Sequence, residues 1–457
     1  VISPQRVVKA DVAIRGEKIA AVGKGLTRRS KAAFVVDASG RYVIPGGIDA
    51  HVHFELPVAG TVSSDDFDTG TRAAARGGIT TVIDFATAAG NESLADAVNR
   101  RLAEARGKVC VDFALHVCLT QGKRHIRQMP GMVKRGMPTF KQFMAYASRG
   151  LQAGDADIFV ALEQCARLGG MLLVHAESGP VLDELIARHH NRAEMARSGV
   201  RLHAMTRPHF IETEAVQRAI AWAGATGGPL YIVHMSTGAG ADLVRDARKR
   251  RVCVHAETCP QYLVLDDSVF DHKDGHLYAC SPQVKKKSDQ QRLWKGLKGG
   301  EVSVVASDTC TFTRKQKGAW KGDWTRLPMG LPGVETMLPI IYTRGVLAGR
   351  MRIRDLVATC CTNPARLMGL YPRKGAIARG SDADITIIHP TRKIKVDWRK
   401  METNADWNPY QDWSLAGFAE KTFSRGRLIV DDYSFVGPTG WGQFLPRHRQ
   451  SVDCRQR

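Results

Sequence analysis

From about residue 42 this chain alternates short β-rich runs with longer helical stretches, and it does so eight times. The runs are Tyr42 to Ile44 leading into Ile48 to His53, then Ile79 to Phe85, Val109 to Val117, Thr139 to Ala145, Met171 to His175, Leu230 to His234, Val252 to His255 and Val302 to Ser307. Strands separated by helices pair in parallel, because only a crossover returns the chain to the same end of the sheet. Four runs follow a glycine pair: Gly77-Gly78, Gly169-Gly170, Gly227-Gly228 and Gly299-Gly300. Each pair closes a helical segment, where glycine supplies the left-handed residue that turns the chain back into a strand. The pattern predicts an α/β fold, a TIM-type (β/α)8 barrel with insertions.

The flanks read differently. Residues 6 to 21 alternate around a turn-forming Arg15-Gly16-Glu17-Lys18, and Asp382 to Ile388 and Lys421 to Val430 give further short strands. Residues 1–44 and 372–432 are therefore expected to form one small β-sandwich domain built from both chain ends, beside a barrel over 45–371. The tail, 433–457, carries Trp441, Phe444, Arg447 and Arg449, and such a composition suits an oligomer contact better than free solution.

With 457 residues, 44% of them hydrophobic, the chain can bury one large core and a satellite. It contains no apolar run of 18 residues, which argues against a membrane span, and its start lacks a signal-peptide pattern. The ten cysteines are scattered without a CxxC pair, as expected for reduced thiols in a cytoplasmic protein. The net charge of +21 raises the question of nucleic acid. Its densest stretch, Lys285, Lys286, Lys287, Arg292, Lys295 and Lys298, reads as the solvated face of a helix, and no nucleic-acid-binding motif accompanies it. No specific nucleic-acid or membrane partner is expected.

Within Pro45-Gly46-Gly47-Ile48-Asp49-Ala50-His51-Val52-His53, two histidines at i and i+2 on a strand face the same way and can chelate one ion. Two polar residues closing a strand would look the same. Position narrows the choice: His51 and His53 end the first strand, Lys141 lies on the fourth, His175 ends the fifth, His234 the sixth, and Asp308 the eighth. All lie toward the C-terminal ends of their strands, the face that carries barrel active sites. An ammonium at Lys141 would repel metal ions. A desolvated amine could instead take up CO2 as a carbamate with two anionic oxygens, although a lysine threading its charge out of an apolar strand fits the sequence equally. His-Ala-Glu occurs twice at strand ends, at 175–177 and 255–257, and spacing does not choose between the two histidines.

The segments PGGIDAHVHFELP and TVSSDDFDTGTRAAARGGITTVIDF, with FKQFMAY, LLVHAES, RPHFIETEAVQRAI, YIVHMST, HAETCPQYL, SDTCTF, NPARLMGL and GSDADITI, resemble the dihydropyrimidinase and hydantoinase family of the amidohydrolase superfamily over essentially the whole chain. The resemblance implies hydrolytic opening of cyclic ureides, dihydropyrimidines or 5-substituted hydantoins, to N-carbamoyl amino acids. It implies two divalent metal ions, zinc foremost, bridged by a carboxylated Lys141, in a homotetramer. His51 and His53, with Asp308, resemble the ligands of the more buried ion, and His175 and His234 those of the more exposed one, which leaves His255 out. Asp308 would carry a proton to the leaving nitrogen, Tyr146 would hold the substrate carbonyl, and Ser281 and Met329 occupy segments whose backbone contacts the ring. The sequence departs from the family pattern at Ser178, Thr309 and Met329, where asparagine, histidine and asparagine are usual.

Two rival readings share these features. Allantoinases and dihydroorotases use the same metal set on other rings. The collapsin-response mediators are non-catalytic scaffolds on the same fold that have lost metal ligands, whereas all six positions are present here.

Overall fold

The computed structural model describes residues 1–26 and 32–447. The eight runs form eight parallel strands: β1 (Gly47–Asp49), β2 (Ile79–Thr87), β3 (Asp112–Cys118), β4 (Thr139–Phe143), β5 (Met171–His175), β6 (Leu230–Ile232), β7 (Val254–Thr258) and β8 (Val304–Val305). They are hydrogen-bonded in chain order from β1 to β8. The ring closes just beyond the strand ends, where Val52 bridges Thr309 and the His53 N–H donates to the Thr309 carbonyl at 2.9 Å. Below that seam the Ser307 N–H donates to Asp49 Oδ1 at 3.0 Å. Alternate strand residues, among them Ile83, Phe85, Leu173, Tyr231 and Val304, form one apolar cluster, and the intervening ones, such as Val82, Leu172 and Val174, pack with the helices. One glycine of each predicted pair is left-handed: Gly78 (φ +82°), Gly169 (+65°), Gly227 (+68°) and Gly300 (+88°).

The run at Tyr42 to Ile44 does not lead into β1 as one strand. Tyr42–Pro45 belongs to a separate five-stranded antiparallel sheet with Ile385–Ile388, Ala419–Ser424, Arg427–Asp431 and Ser434–Phe435. Gly46 makes the crossing, and a Cβ there would sit 2.1 Å from Thr80 Oγ1. The Arg-Gly-Glu-Lys turn closes a hairpin of Asp11–Arg15 with Lys18–Gly23. Val12 of that hairpin packs on Ile385, Ile387 and Phe423, so residues from both ends of the chain meet on this sheet.

The tail, as far as it is described, is taken up by its own barrel. Phe444 bridges Phe113, and the buried Arg447 donates to the Leu115 carbonyl and, at 2.7 Å, to Thr139 Oγ1. Arg449 lies outside the described residues. Two expectations, a solvated Lys285 and uniformly reduced cysteines, need correction. Lys285 is buried, its ammonium donating to the Arg207 carbonyl at 2.8 Å. Eight of the cysteines are free and buried, but Cys253 is disulfide-bonded. Among the described residues no helix is long and apolar enough to cross a membrane.

Candidate metal centre

The C-terminal end of the barrel gathers the predicted residues. His51 and His53 stand in the loop leaving β1, Lys141 is the third residue of β4, and His175 is the last of β5. His234 and Asp308 lie just past β6 and β8 rather than within them. The Nε2 atoms of His51 and His53 are each 3.3 Å from Asp308 Oδ1, and the ligand atoms of the three lie within 4.8 Å of one another. Opposite them, His175 Nδ1 and His234 Nε2 face each other at 3.0 Å. Lys141 is buried, with its Nζ 5.0 Å from the Phe143 ring centre and 5.6 Å from that of Phe85. Burial brings its amine from 10.5 down to about 8, against the opposing pull of Asp308. Burial, then the charge of Lys141, holds His51 and His234 well below the usual imidazole range. Neutral imidazoles are the form that binds metals.

Sequence reasoning missed the carboxylates behind these candidate ligands. Glu257 lies 2.7 Å from His51 Nδ1, which turns His51 Nε2 toward Asp308, and it also accepts the His234 N–H at 3.1 Å and the Tyr231 hydroxyl at 2.9 Å. Burial pushes Glu257 up to about 8 against those donors and Lys141, so a nearby cation would favour its charged form. Glu177 performs the matching task at 2.8 Å from His175 Nε2. The signal was the repeated His-Ala-Glu: in the first copy both histidine and glutamate enter the site, in the second only the glutamate. His255 Nε2 is buried without a hydrogen-bond partner, and burial followed by Arg248 lowers its pKa to about 3.

Tyr146 and Ser281 meet beside His175. Their hydroxyls are hydrogen-bonded, the Ser281 hydroxyl donates to Glu177 Oε2 at 2.9 Å, and the Tyr146 ring centre is 4.9 Å from that of His175. Burial raises the Tyr146 phenol well above its ordinary value, so it stays protonated. Met329 is half-buried next to Gly330, whose N–H donates to the Ala279 carbonyl at 3.0 Å, placing it against the Ser281 segment. Thr309 uses its position structurally: its Oγ1 accepts the Gly333 N–H at 3.2 Å and so ties the Met329 loop to the barrel seam. Tyr146 (φ 76°), His234 (φ 38°) and Asp308 (φ 52°) all adopt left-handed backbone, which non-glycine residues enter at a cost of about 1–3 kcal/mol.

The donor set suits divalent ions. Imidazole nitrogens are aimed at one another and at a carboxylate instead of at separate protein partners, and the buried Nδ1 atoms of His53 and His234 have no hydrogen-bond partner. The model for the amidohydrolase family matches residues 42–406. The chain is 37% identical over 455 residues to a D-hydantoinase of Streptomyces coelicolor, covering 98% of this chain and 96% of that protein. It is 39% identical over 422 residues to a D-phenylhydantoinase of Escherichia coli, covering 90% and 89%. The solved dihydropyrimidinase of Brevibacillus agri superposes with a TM-score of 0.94 at 37% identity over 98% of this chain and 97% of that one. An L-hydantoinase of Arthrobacter aurescens gives 0.89 at 28% identity, covering 98% of each.

Proposed function

The chain belongs to the amidohydrolase family, and from that membership and the site described above we propose that it hydrolyses cyclic ureides, hydantoins or dihydropyrimidines, to N-carbamoyl amino acids. The observation that carries the reading is the convergence of His51, His53 and Asp308 within 4.8 Å, with the His175–His234 pair and the buried Lys141 at the same barrel end. His51, His53 and Asp308 would hold one divalent ion, His175 and His234 a second, and a carbamate on Lys141 would join them, with zinc favoured by the imidazole-rich set. Such ions supply a water whose pKa falls from 15.7 toward about 7.

The protein's own groups supply the rest. Asp308, its carboxylate facing both His51 and His53, is positioned to accept a proton and return it to the leaving ring nitrogen. The protonated Tyr146 donates a hydrogen bond to the ring carbonyl as negative charge develops there. Ser281 and the Met329 segment line the ring, and the side chain of Met329 adapts to the substituent. Retention of all six ligand positions is the reason for preferring an enzyme to a scaffold of the collapsin-response-mediator type.

One observation favours a carboxylated ring instead. The Arg149 guanidinium lies 5.5 Å from the Tyr146 ring centre and could meet an anionic substituent. A panel of hydantoin, phenylhydantoin, dihydrouracil, allantoin and dihydroorotate decides. Neutral ureides are expected to lead, whereas a preference for dihydroorotate of tenfold or more in kcat/KM, about 1.4 kcal/mol, would replace this substrate assignment.

A further inference from the structure

Lys317 is a fully buried lysine outside the metal centre, and among the described residues it forms no ion pair. It sits on the short helix Arg314–Gly318, beyond β8 in the chain. Its Nζ donates to the Ala279 carbonyl at 2.8 Å and lies 5.8 Å from the Phe312 ring centre and 5.9 Å from that of Trp407. Burial brings the amine down to about 7, against the opposing effect of Cys280 and Cys310. A buried amine without a charged partner costs stability, and an apolar side chain of similar length would avoid that cost. Stability alone gives no reason for a lysine here.

What the lysine holds supplies one. A carbonyl oxygen has two lone pairs, and the Ala279 oxygen also accepts the Gly330 N–H at 3.0 Å. Ala279 stands two residues before Ser281 and Gly330 directly after Met329, so a single oxygen joins the two segments assigned to the ring. The Ser281 segment is pinned twice more: His203 Nε2 donates to the Cys280 carbonyl at 2.8 Å, and the Tyr262 hydroxyl to that of Pro282 at 2.7 Å. Three buried side chains from three separate helices thus fix the carbonyls around Ser281, whose own carbonyl accepts no hydrogen bond among the described residues. Of the three, Lys317 acts on the oxygen that reaches the Met329 segment. Its helix is anchored in turn, since the neighbouring Gln316 donates through Nε2 to the Val62 carbonyl at 2.7 Å.

We propose that Lys317 is a positioning residue for ring recognition: through the Ala279 oxygen it locks the Ser281 and Met329 segments at one spacing, and that spacing sets how tightly a cyclic ureide is held. The inference rests on the cyclic-ureide reading of the site.

Lys317→Met keeps the stem without the donor. Its KM for hydantoin is expected to rise about tenfold or more while kcat stays within about twofold, because the ring edge away from the attacked carbonyl is bound alike before and during attack. Metal content, read by elemental analysis, should stay at the wild-type level, since Lys317 touches none of the six candidate ligands. Hydrogen–deuterium exchange on the full chain should show the Gly330 amide exchanging about tenfold faster or more. A lysine that merely supported the fold would lower the melting temperature and the active fraction, and so kcat, with KM unmoved. Lys317→Gln, polar but one bond short of the ammonium, is expected to give the same KM rise and repeats both measurements should Lys317→Met not fold. An unmoved KM, or an unmoved Gly330 exchange, overturns the proposal. A wild-type protein that opened no cyclic ureide would sink the functional reading instead, and exchange at Gly330 would then decide by itself whether Lys317 holds the two segments together.

Discussion

A lysine amine adds CO2 only as the free base, and with its pKa brought to about 8, roughly one Lys141 side chain in ten is neutral at pH 7. Carbamate formation would then draw the remainder over as ions bind. Lys141→Ala is expected to abolish turnover and to lower the metal content from about two ions per chain, as read by elemental analysis, with partial rescue by a small carboxylic acid. Full activity in that variant would show the lysine to be structural. That the six residues proposed as ligands gather at one barrel end could be read from sequence because each lies at or near a strand end, which a one-dimensional pattern locates. The role of Glu257 could not, because its partner His51 is 206 residues away, whereas Glu177 stands two residues from His175 in the first His-Ala-Glu and only its contact with Ser281, 104 residues away, was hidden. The left-handed backbone at Tyr146, His234 and Asp308 was equally hidden, since the modest enrichment of Asp and His in that region does not single out one position and the surrounding fold imposes it.

Element type was legible throughout the barrel because eight apolar runs with glycine-closed helices leave one parallel arrangement. Element ends were less so: β8 is only Val304–Val305, and the Tyr42 run enters the other sheet, since apolar alternation does not record which sheet a strand joins. The glycine pairs show two separate constraints at one exit. Gly227 is left-handed (φ +68°) with open space around a Cβ, whereas a Cβ on Gly228 would meet the Leu162 carbonyl oxygen at 2.4 Å. Gly227→Ala should therefore cost only the conformational penalty, about 1–2 kcal/mol. Gly228→Ala must in addition move the backbone of the helix Asp155–Leu168 against β6 and should cost more. Denaturant titration of the two variants checks the order, and equal losses would show that the close approach relaxes freely.

At the scale of the whole molecule, assembly and the join between barrel and sandwich each lead to a measurement. The described tail is used within its own chain, so the case for a homotetramer passes to family membership and to exposed apolar side chains such as Phe34 and Val35. Light scattering is expected to give about four times the 50.2 kDa chain mass, and a monomer at micromolar concentration would contradict it. The join is ionic and buried. Lys374 Nζ lies 2.7 Å from Asp112 at the start of β3, 2.6 Å from Asp384 and 3.0 Å from Asp382, while Arg425 holds Asp112 from the other side at 3.1 Å. Burial works against the charge on Lys374, but the three carboxylates more than offset it and raise its pKa above the ordinary lysine value. Such a raised base contributes stability that is complete at neutral pH and lost only as pH rises through the folded value. Asp382 has the opposite sign: burial raises it, Lys374, Lys18 and Arg373 outweigh that and bring it to about 2, so its contribution is lost as pH falls through that value. Lys374→Met leaves buried carboxylates uncompensated and should cost about 3–5 kcal/mol between pH 6 and 8. Adding Asp112→Asn removes one of those charges and should restore part of the loss, because the two substitutions act within one cluster. A loss under about 1 kcal/mol with no recovery in the double variant would mean that the apolar contacts of the sandwich, not this cluster, hold it to the barrel.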